Sequence, residues 1–383
     1  MAELENYHDS EPVGQSVPQH AVDLSGIHST MQRNPTTFTR IRTRATQTAP
    51  DARTKIDFLT LISLSCEIYR IYASELVEMQ PFRGNPEQPE GGGGNCVVTR
   101  RHITLSSPSS VLRGQTEQRN ESIIVKRTRR AFWESDTSAL RSFIAELRVR
   151  AHPPLREHAN IVDLKGIAWD FEDEERRKPC PLLLEERALE GSLEQFWKAR
   201  NLTRMPFKLK VALCSDIANG LSALHNCGIV HGDVKPENIL VFPPIGSQNS
   251  YTAKLTDFGH SVFAYENLDG LPAFTPPFGA PELEEQSSFS FQDMKQTDVY
   301  SYGLVVLSLV VGRDCCSDFG SQLLSYKLDD SIIWRAMRLL EREDREHNDS
   351  DFDLVTLRML FNNTLKRDSK KRDLQQCIRV LYR

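Results

Sequence analysis

His231-Gly232-Asp233-Val234-Lys235-Pro236-Glu237-Asn238, with Asp257-Phe258-Gly259 beginning nineteen residues after Asn238, constrains this chain more than any other stretch. Phosphoryl transfer needs a carboxylate beside the attacking hydroxyl, and an amide and a second carboxylate to hold magnesium against phosphate oxygens. Asp233, Asn238 and Asp257 supply those groups in that order. Asp-Phe-Gly alone recurs by chance in turns. The two segments together, correctly ordered and each bordered by an apolar run, are far more specific.

The pair resembles the catalytic loop and the metal-binding loop of eukaryotic-type protein kinases of the serine/threonine type. Further segments carry the resemblance over residues 86–383. It implies an α+β bilobal kinase fold, with a small β-rich N-lobe over about 86–187 and a large helical C-lobe over about 188–383. The cofactors it implies are ATP and magnesium. Asp233 is then the catalytic base, Lys235 the cation beside the γ-phosphate, and Asn238 and Asp257 the magnesium ligands. His231 is expected to pack beneath Phe258.

Lys126 ends the apolar run Ile123-Ile124-Val125 and resembles the phosphate-binding lysine of the third kinase strand. Glu146, twenty residues on within Phe143-Ile144-Ala145-Glu146-Leu147, is the carboxylate expected to position it. Gly91-Gly92-Gly93-Gly94-Asn95-Cys96-Val97-Val98 fits a glycine-rich loop closing over phosphates, with Cys96 at the third glycine. A four-glycine run is otherwise a flexible linker. The resemblance thus places Gly91, Gly93, Val98, Lys126, Glu146, Glu186, Ala188, Leu240 and Asp257 at the nucleotide. Thr275 is expected to brace the catalytic loop, Glu282 to pair with Arg372, and Asp298 to hold the catalytic-loop backbone.

Four positions depart from the family pattern. Gly232 stands where an arginine normally reads a phosphorylated activation loop through charge-assisted bonds, so control by loop phosphorylation is not expected. Mutation of Ser261, Tyr265 and Thr275 tests that point. Ile124 replaces a small residue over the adenine. Glu185, or Leu184 if the alignment slips by one, falls at the gatekeeper position, where a buried charge is costly. Arg150 replaces an apolar residue one turn after Glu146, its stem able to pack while its head reaches water.

The rest of the chain reads more simply. Residues 1–54 are polar, rich in Ser, Thr, Pro, Gln and Arg, and are expected to be a disordered tail. Residues 55–85 are expected to form a helical extension, with Phe58, Leu61, Ile62, Cys66, Ile68 or Tyr69, and Tyr72 at helical spacing. A loop insertion is expected over 103–120 and a helix over 138–150. Strands are expected over Asn160–Trp169 and Pro181–Leu184, joined by a turn at 172–178. Helices follow Gly191.

Composition narrows the class. A net charge of -5 offers no field for nucleic acid or a membrane surface. The eight cysteines form no C-x-x-C pair and Cys315-Cys316 is too close to bridge, so free thiols in a reducing compartment are expected. The acidic N-terminus lacks a signal pattern, and the apolar stretch Tyr302–Val311 falls short of the ~20 residues of a membrane span. The expectation is a cytoplasmic protein, with the nucleus open, acting on a protein Ser/Thr hydroxyl. A pseudokinase scaffold is the alternative, and a small-molecule kinase a third reading that Thr275 and Ala280-Pro281-Glu282 oppose. Substrate, regulator and oligomeric state are not written in the sequence.

Overall fold

The computed structural model describes residues 60–61, 63–65, 76–78, 89–91, 96–106, 118–128, 138–171, 179–200, 205–244, 250–265, 275–285, 288–347 and 353–382. The expected tail (1–54), the expected turn at 172–178 and Gly93 lie outside these residues.

Six antiparallel strands form the smaller part: β1 (Leu76–Glu78), β2 (Pro89–Gly91), β3 (Cys96–Ser106), β4 (Gln118–Thr128), β5 (Leu164–Phe171) and β6 (Pro179–Glu186). Their order is β1-β3-β4-β6-β5, and β2 also lies on β3. Alternation in β4 and β6 divides the two faces of the sheet. Ile123, Val125, Leu182 and Leu184 bury together with Ala168 on one face. The opposite face carries Leu183, which packs with helix α1 (Ser138–Ala151) through Leu140, Phe143, Ile144 and Leu147. Those four recur at helical spacing, which gives α1 one apolar stripe to lay on the sheet. Leu61 is buried in the same cluster.

The larger part is helical. Helix α2 (Leu193–Ala199) opens with a capping box between Ser192 and Gln195, and α3 (Phe207–Asn226) buries Leu213, Ile217, Leu221 and Leu224. Helix α4 (Phe291–Val311) is apolar on all sides because all sides are packed: residues from Thr297 to Val311 are buried. Ser290 and Asp293 cap its start, and Gly312 in the left-handed conformation ends it. Helix α5 (Ser331–His347) packs on α4, α6 (Leu354–Asn362) on α5, and α7 (Leu374–Leu381) on α3 and α6. Among the described residues no helix is long and apolar enough to cross a membrane.

Two short antiparallel strand pairs frame the loop at 231–238. Strands β7 (Ile229–Val230) and β10 (Val262–Phe263) pair, as do β8 (Ile239–Phe242) and β9 (Thr252–Leu255). Asp233 thus lies between β7 and β8, and Asp257 just after β9.

Three local expectations are corrected. Leu76–Glu78 is a strand, because its main chain pairs with Thr104–Ser106 of β3 and that pairing outweighs the helical spacing. The insertion is shorter than 103–120, since β3 runs to Ser106 and β4 begins at Gln118. β5 begins at Leu164 rather than Asn160: the side chain of Asn160 binds the Ala253 carbonyl, and Ile161 bridges to Leu255 instead.

Candidate active site

The β4–β6 register decides which residues face the cleft. Ile124 is opposite Glu185 and Lys126 opposite Leu183, while Val125 is opposite Leu184. Residues paired in this way share a face, so Glu185, and not Leu184, lies on the Lys126 side. Val98 is opposite Lys126 from the other flank. Gly91 ends β2 opposite Val98, so the glycine run spans the β2–β3 connection.

Lys126 is held by two carboxylates. Its ammonium lies 2.5 Å from Glu146 Oε1 and 2.6 Å from Asp257 Oδ1. α1 supplies Glu146 from the helix face turned to the sheet, and Asp257 is set by a left-handed backbone at φ 63°. Burial pushes the Asp257 carboxyl up, but the Lys126 charge and hydrogen bond outweigh it and hold the group well below the usual carboxylate range.

Asp233 sits at the centre of a second cluster and is almost wholly buried. Thr275 donates its hydroxyl to Asp233 Oδ1 at 2.8 Å, and Lys235 lies 2.7 Å from Oδ2. Lys235 also donates to the Thr275 hydroxyl at 2.9 Å. Asn238 donates to the Asp233 carbonyl at 2.8 Å and to Oδ2 at 2.9 Å. With its amide nitrogen so engaged, Asn238 has its Oδ1 left to accept. The loop itself is fixed by Asp298 of α4, which accepts from the main-chain N–H of His231 at 2.8 Å and of Gly232 at 3.0 Å. His231 packs on Phe258 with ring centroids 5.3 Å apart. Arg372 meets Glu282 through two bonds of 2.5 and 2.8 Å. Nearby, the buried Lys327 donates to the carbonyls of Pro277 and Gly279 at 3.0 and 2.7 Å, tying down the segment that carries Thr275.

The departures acquire partners. Arg150 is buried and lies 3.0 Å from Glu185 Oε1, off the hydrogen-bonding direction, and donates from Nε to Glu146 Oε2 at 3.2 Å. Burial pushes the Glu185 carboxyl up, and the Arg150 charge opposes that rise. Arg150 does not reach water with its head, as its stem length allowed: its guanidinium is as buried as the stem. Of Ser261, Tyr265 and Thr275, Ser261 is buried with its hydroxyl on the His231 carbonyl, Thr275 is bonded to Asp233, and Tyr265 is exposed.

The remaining predicted contacts are more peripheral. Glu186 turns its side chain to Lys254, 2.6 Å away, and to the Asp163 N–H, which leaves only its main chain to the cleft. Ala188 lies in the turn after β6, where its carbonyl accepts from Gly191. Leu240 is half-buried in β8.

Two cations, Lys126 and Arg150, thus face three carboxylates, Glu146, Glu185 and Asp257. Asp257 is the most exposed of the three, its side chain 41% accessible. The carboxylate of Asp257 and the amide oxygen of Asn238 are oxygen donors of the kind a hard divalent cation takes. Sequence reasoning missed Thr256, Val162, Lys254 and Lys327. It also met Glu185 and Arg150 as separate anomalies; their opposite charges were the available signal that each answers the other.

Comparison with known proteins identifies a family. The family described as protein kinase domain matches residues 103–379. The chain is 31% identical over 247 residues to calcium/calmodulin-dependent protein kinase type 1B of Homo sapiens, covering 62% of this chain and 61% of that protein. It is 34% identical over 168 residues to the G-type lectin S-receptor-like serine/threonine-protein kinase At5g35370 of Arabidopsis thaliana, covering 42% and 17%. A probable serine/threonine-protein kinase, gdt9 of Dictyostelium discoideum, is 30% identical over 143 residues, covering 36% and 9%. The matched region spans less than two thirds of each of these relatives.

Proposed function

The chain belongs to the protein kinase family, and from that premise we propose that it is an active serine/threonine protein kinase, transferring the γ-phosphoryl group of Mg-ATP to a protein hydroxyl. The observation that supports activity is the Lys126 ammonium held between Glu146 and Asp257. A fixed cation flanked in this way is positioned for phosphate oxygens. The names of the relatives and the Lys235–Thr275–Asp233 cluster favour a serine or threonine acceptor.

The residues divide the work. Magnesium, when bound, neutralises charge on the phosphates, and Asn238 and Asp257 are the oxygen donors that would hold it. Asp233 orients the acceptor hydroxyl and takes its proton as the new oxygen–phosphorus bond forms and the bond to the departing diphosphate breaks. Lys235 stands beside Asp233 to offset charge on the transferring group. Val98, Leu240 and the main chain at Glu186 and Ala188 border the adenine.

Ile124, Glu185, Arg150 and Cys96 favour the alternative of a scaffold that does not turn over ATP. The match between Glu185 and Arg150 weakens that objection. Phosphate incorporation from Mg-ATP into a generic acceptor, measured beside Asp257→Asn, tests the reading. Incorporation by wild type alone is expected. No incorporation, with no thermal shift on adding Mg-ATP, would leave the scaffold.

A further inference from the structure

Arg150 joins four segments around the Lys126–Glu146 pair. It reaches Glu146 on α1, Glu185 at the end of β6, the Val162 carbonyl at 3.2 Å and the Thr256 hydroxyl at 3.3 Å, directly before Asp257. Its guanidinium carbon also stands 5.4 Å from the centre of the Phe258 ring. Bulk water screens these charges little, since Arg150 and Glu185 are 2% and 4% exposed.

Glu146 is the shared member. One oxygen serves Lys126 and the other serves Arg150. If Glu185 is removed, Arg150 loses its second carboxylate and draws Glu146 from Lys126. If Arg150 is removed, Glu146 loses the donor on its second oxygen, and Glu185 loses the charge that opposes its rise and takes up a proton as a buried neutral acid. Either deletion therefore disturbs the Lys126–Glu146 pair, although neither residue bonds to Lys126.

From this geometry we infer that Arg150 and Glu185 act as one positioning unit that holds Glu146 on Lys126 and α1 against Asp257-Phe258. The unit stands where two apolar side chains would do the same by packing. It also fits a chain that cannot use residue 232 to sense a loop phosphate. The inference rests on the reading of an active kinase only for its kinetic test.

The test is a cycle of Arg150→Leu, Glu185→Leu and the double variant, with Arg150→Lys as a fourth chain, all full length. Replacing a buried pair with two apolar groups keeps the fold, so the double variant is expected to recover what each single loses. Each single is expected to lower kcat/KM for ATP by roughly 10²-fold, the loss that a misplacement of about 1 Å brings. A further readout needs no turnover: amide hydrogen exchange across 138–151, faster in each single and returned toward wild type in the double. Arg150→Lys keeps the charge without the fork, and is expected to fold, exchange faster over α1 and raise KM for ATP. Non-additive recovery in the double supports the unit. A double as impaired as the worse single, or an Arg150→Leu chain with wild-type kcat/KM and exchange, overturns it. Should the Leu singles fail to fold, Arg150→Lys decides: unaltered exchange and KM also overturn it. If wild type turns over no ATP, the exchange arm still decides this inference, while the kinase reading fails by itself.

Discussion

Gly232 faces the His260 carbonyl so closely that a β-carbon on residue 232 would lie 2.5 Å from that oxygen, with φ at +82°. An arginine at this position would therefore be strained by the backbone, as well as being absent from the sequence. Gly232→Ala is expected to lose about 1–2 kcal/mol from the left-handed conformation alone, with the carbonyl contact adding to it. Gly232→Arg should lose at least as much and gain no response to loop phosphate. Thermal melts of the two variants check this; an alanine chain as stable as wild type would mean that the His260 carbonyl yields freely.

Thr275 supplies the hydroxyl between Lys235 and Asp233. Thr275→Val keeps the shape and deletes both bonds, leaving the buried Asp233 with a lost donor. Activity should fall by roughly 10²-fold through kcat, the scale of one lost positioning bond, with KM for ATP nearly unchanged. Steady-state kinetics separate the two parameters. A fall confined to KM for ATP would count against this placement.

Lys327 carries a testable pH dependence. Burial pushes its ammonium down to about 8, against the attraction of Cys316, Glu284 and Glu282. The unfolded chain holds that proton up to a pKa of about 10.4. Between those values the unfolded state binds more protons, so this group makes stability rise with pH there and contributes no slope below about 8. Lys327→Met orphans the carbonyls of Pro277 and Gly279. The gap in unfolding free energy between wild type and Lys327→Met should widen by on the order of 1–3 kcal/mol from pH 8 to 10. Urea titrations at several pH values measure it, and a constant gap would show that the carbonyls keep Lys327 charged.

The Glu282–Arg372 pair is buried and bidentate, and Arg372 also donates to the carbonyls of Lys366, Gln296 and Arg367. Glu282→Gln leaves that guanidinium without its counter-charge. Loss of one partner from a buried pair costs about 3–5 kcal/mol, which a shift of the urea midpoint would report. A loss below ~1 kcal/mol would mean that the three carbonyls suffice, as for a solvent-exposed pair.

Much of the site was legible because it is local in sequence. Asp233, Lys235 and Asn238 fall within six consecutive positions, and their spacing is set by one loop. Lys126 was legible from the apolar strand that ends on it, and Glu146 from the helix that follows. The Leu76–Glu78 strand was not, because a three-residue strand is defined by the β3 edge it joins and leaves no period of its own. Glu185 and Arg150 were visible only as exceptions to a pattern. Thirty-five positions separate them, and nothing in the chain order states that β6 and α1 bring them within 3.0 Å.

The sequence by itself determined the chemistry on offer: which acids, amides and cations exist, and the alternation that gives each strand an inward and an outward face. Tertiary structure decided their charge balance. Whether a buried glutamate is a fault or a partner depends on which cation the fold sets beside it, because the cost of a buried charge depends on the distance to its counter-charge and on the exclusion of water, and chain order fixes neither.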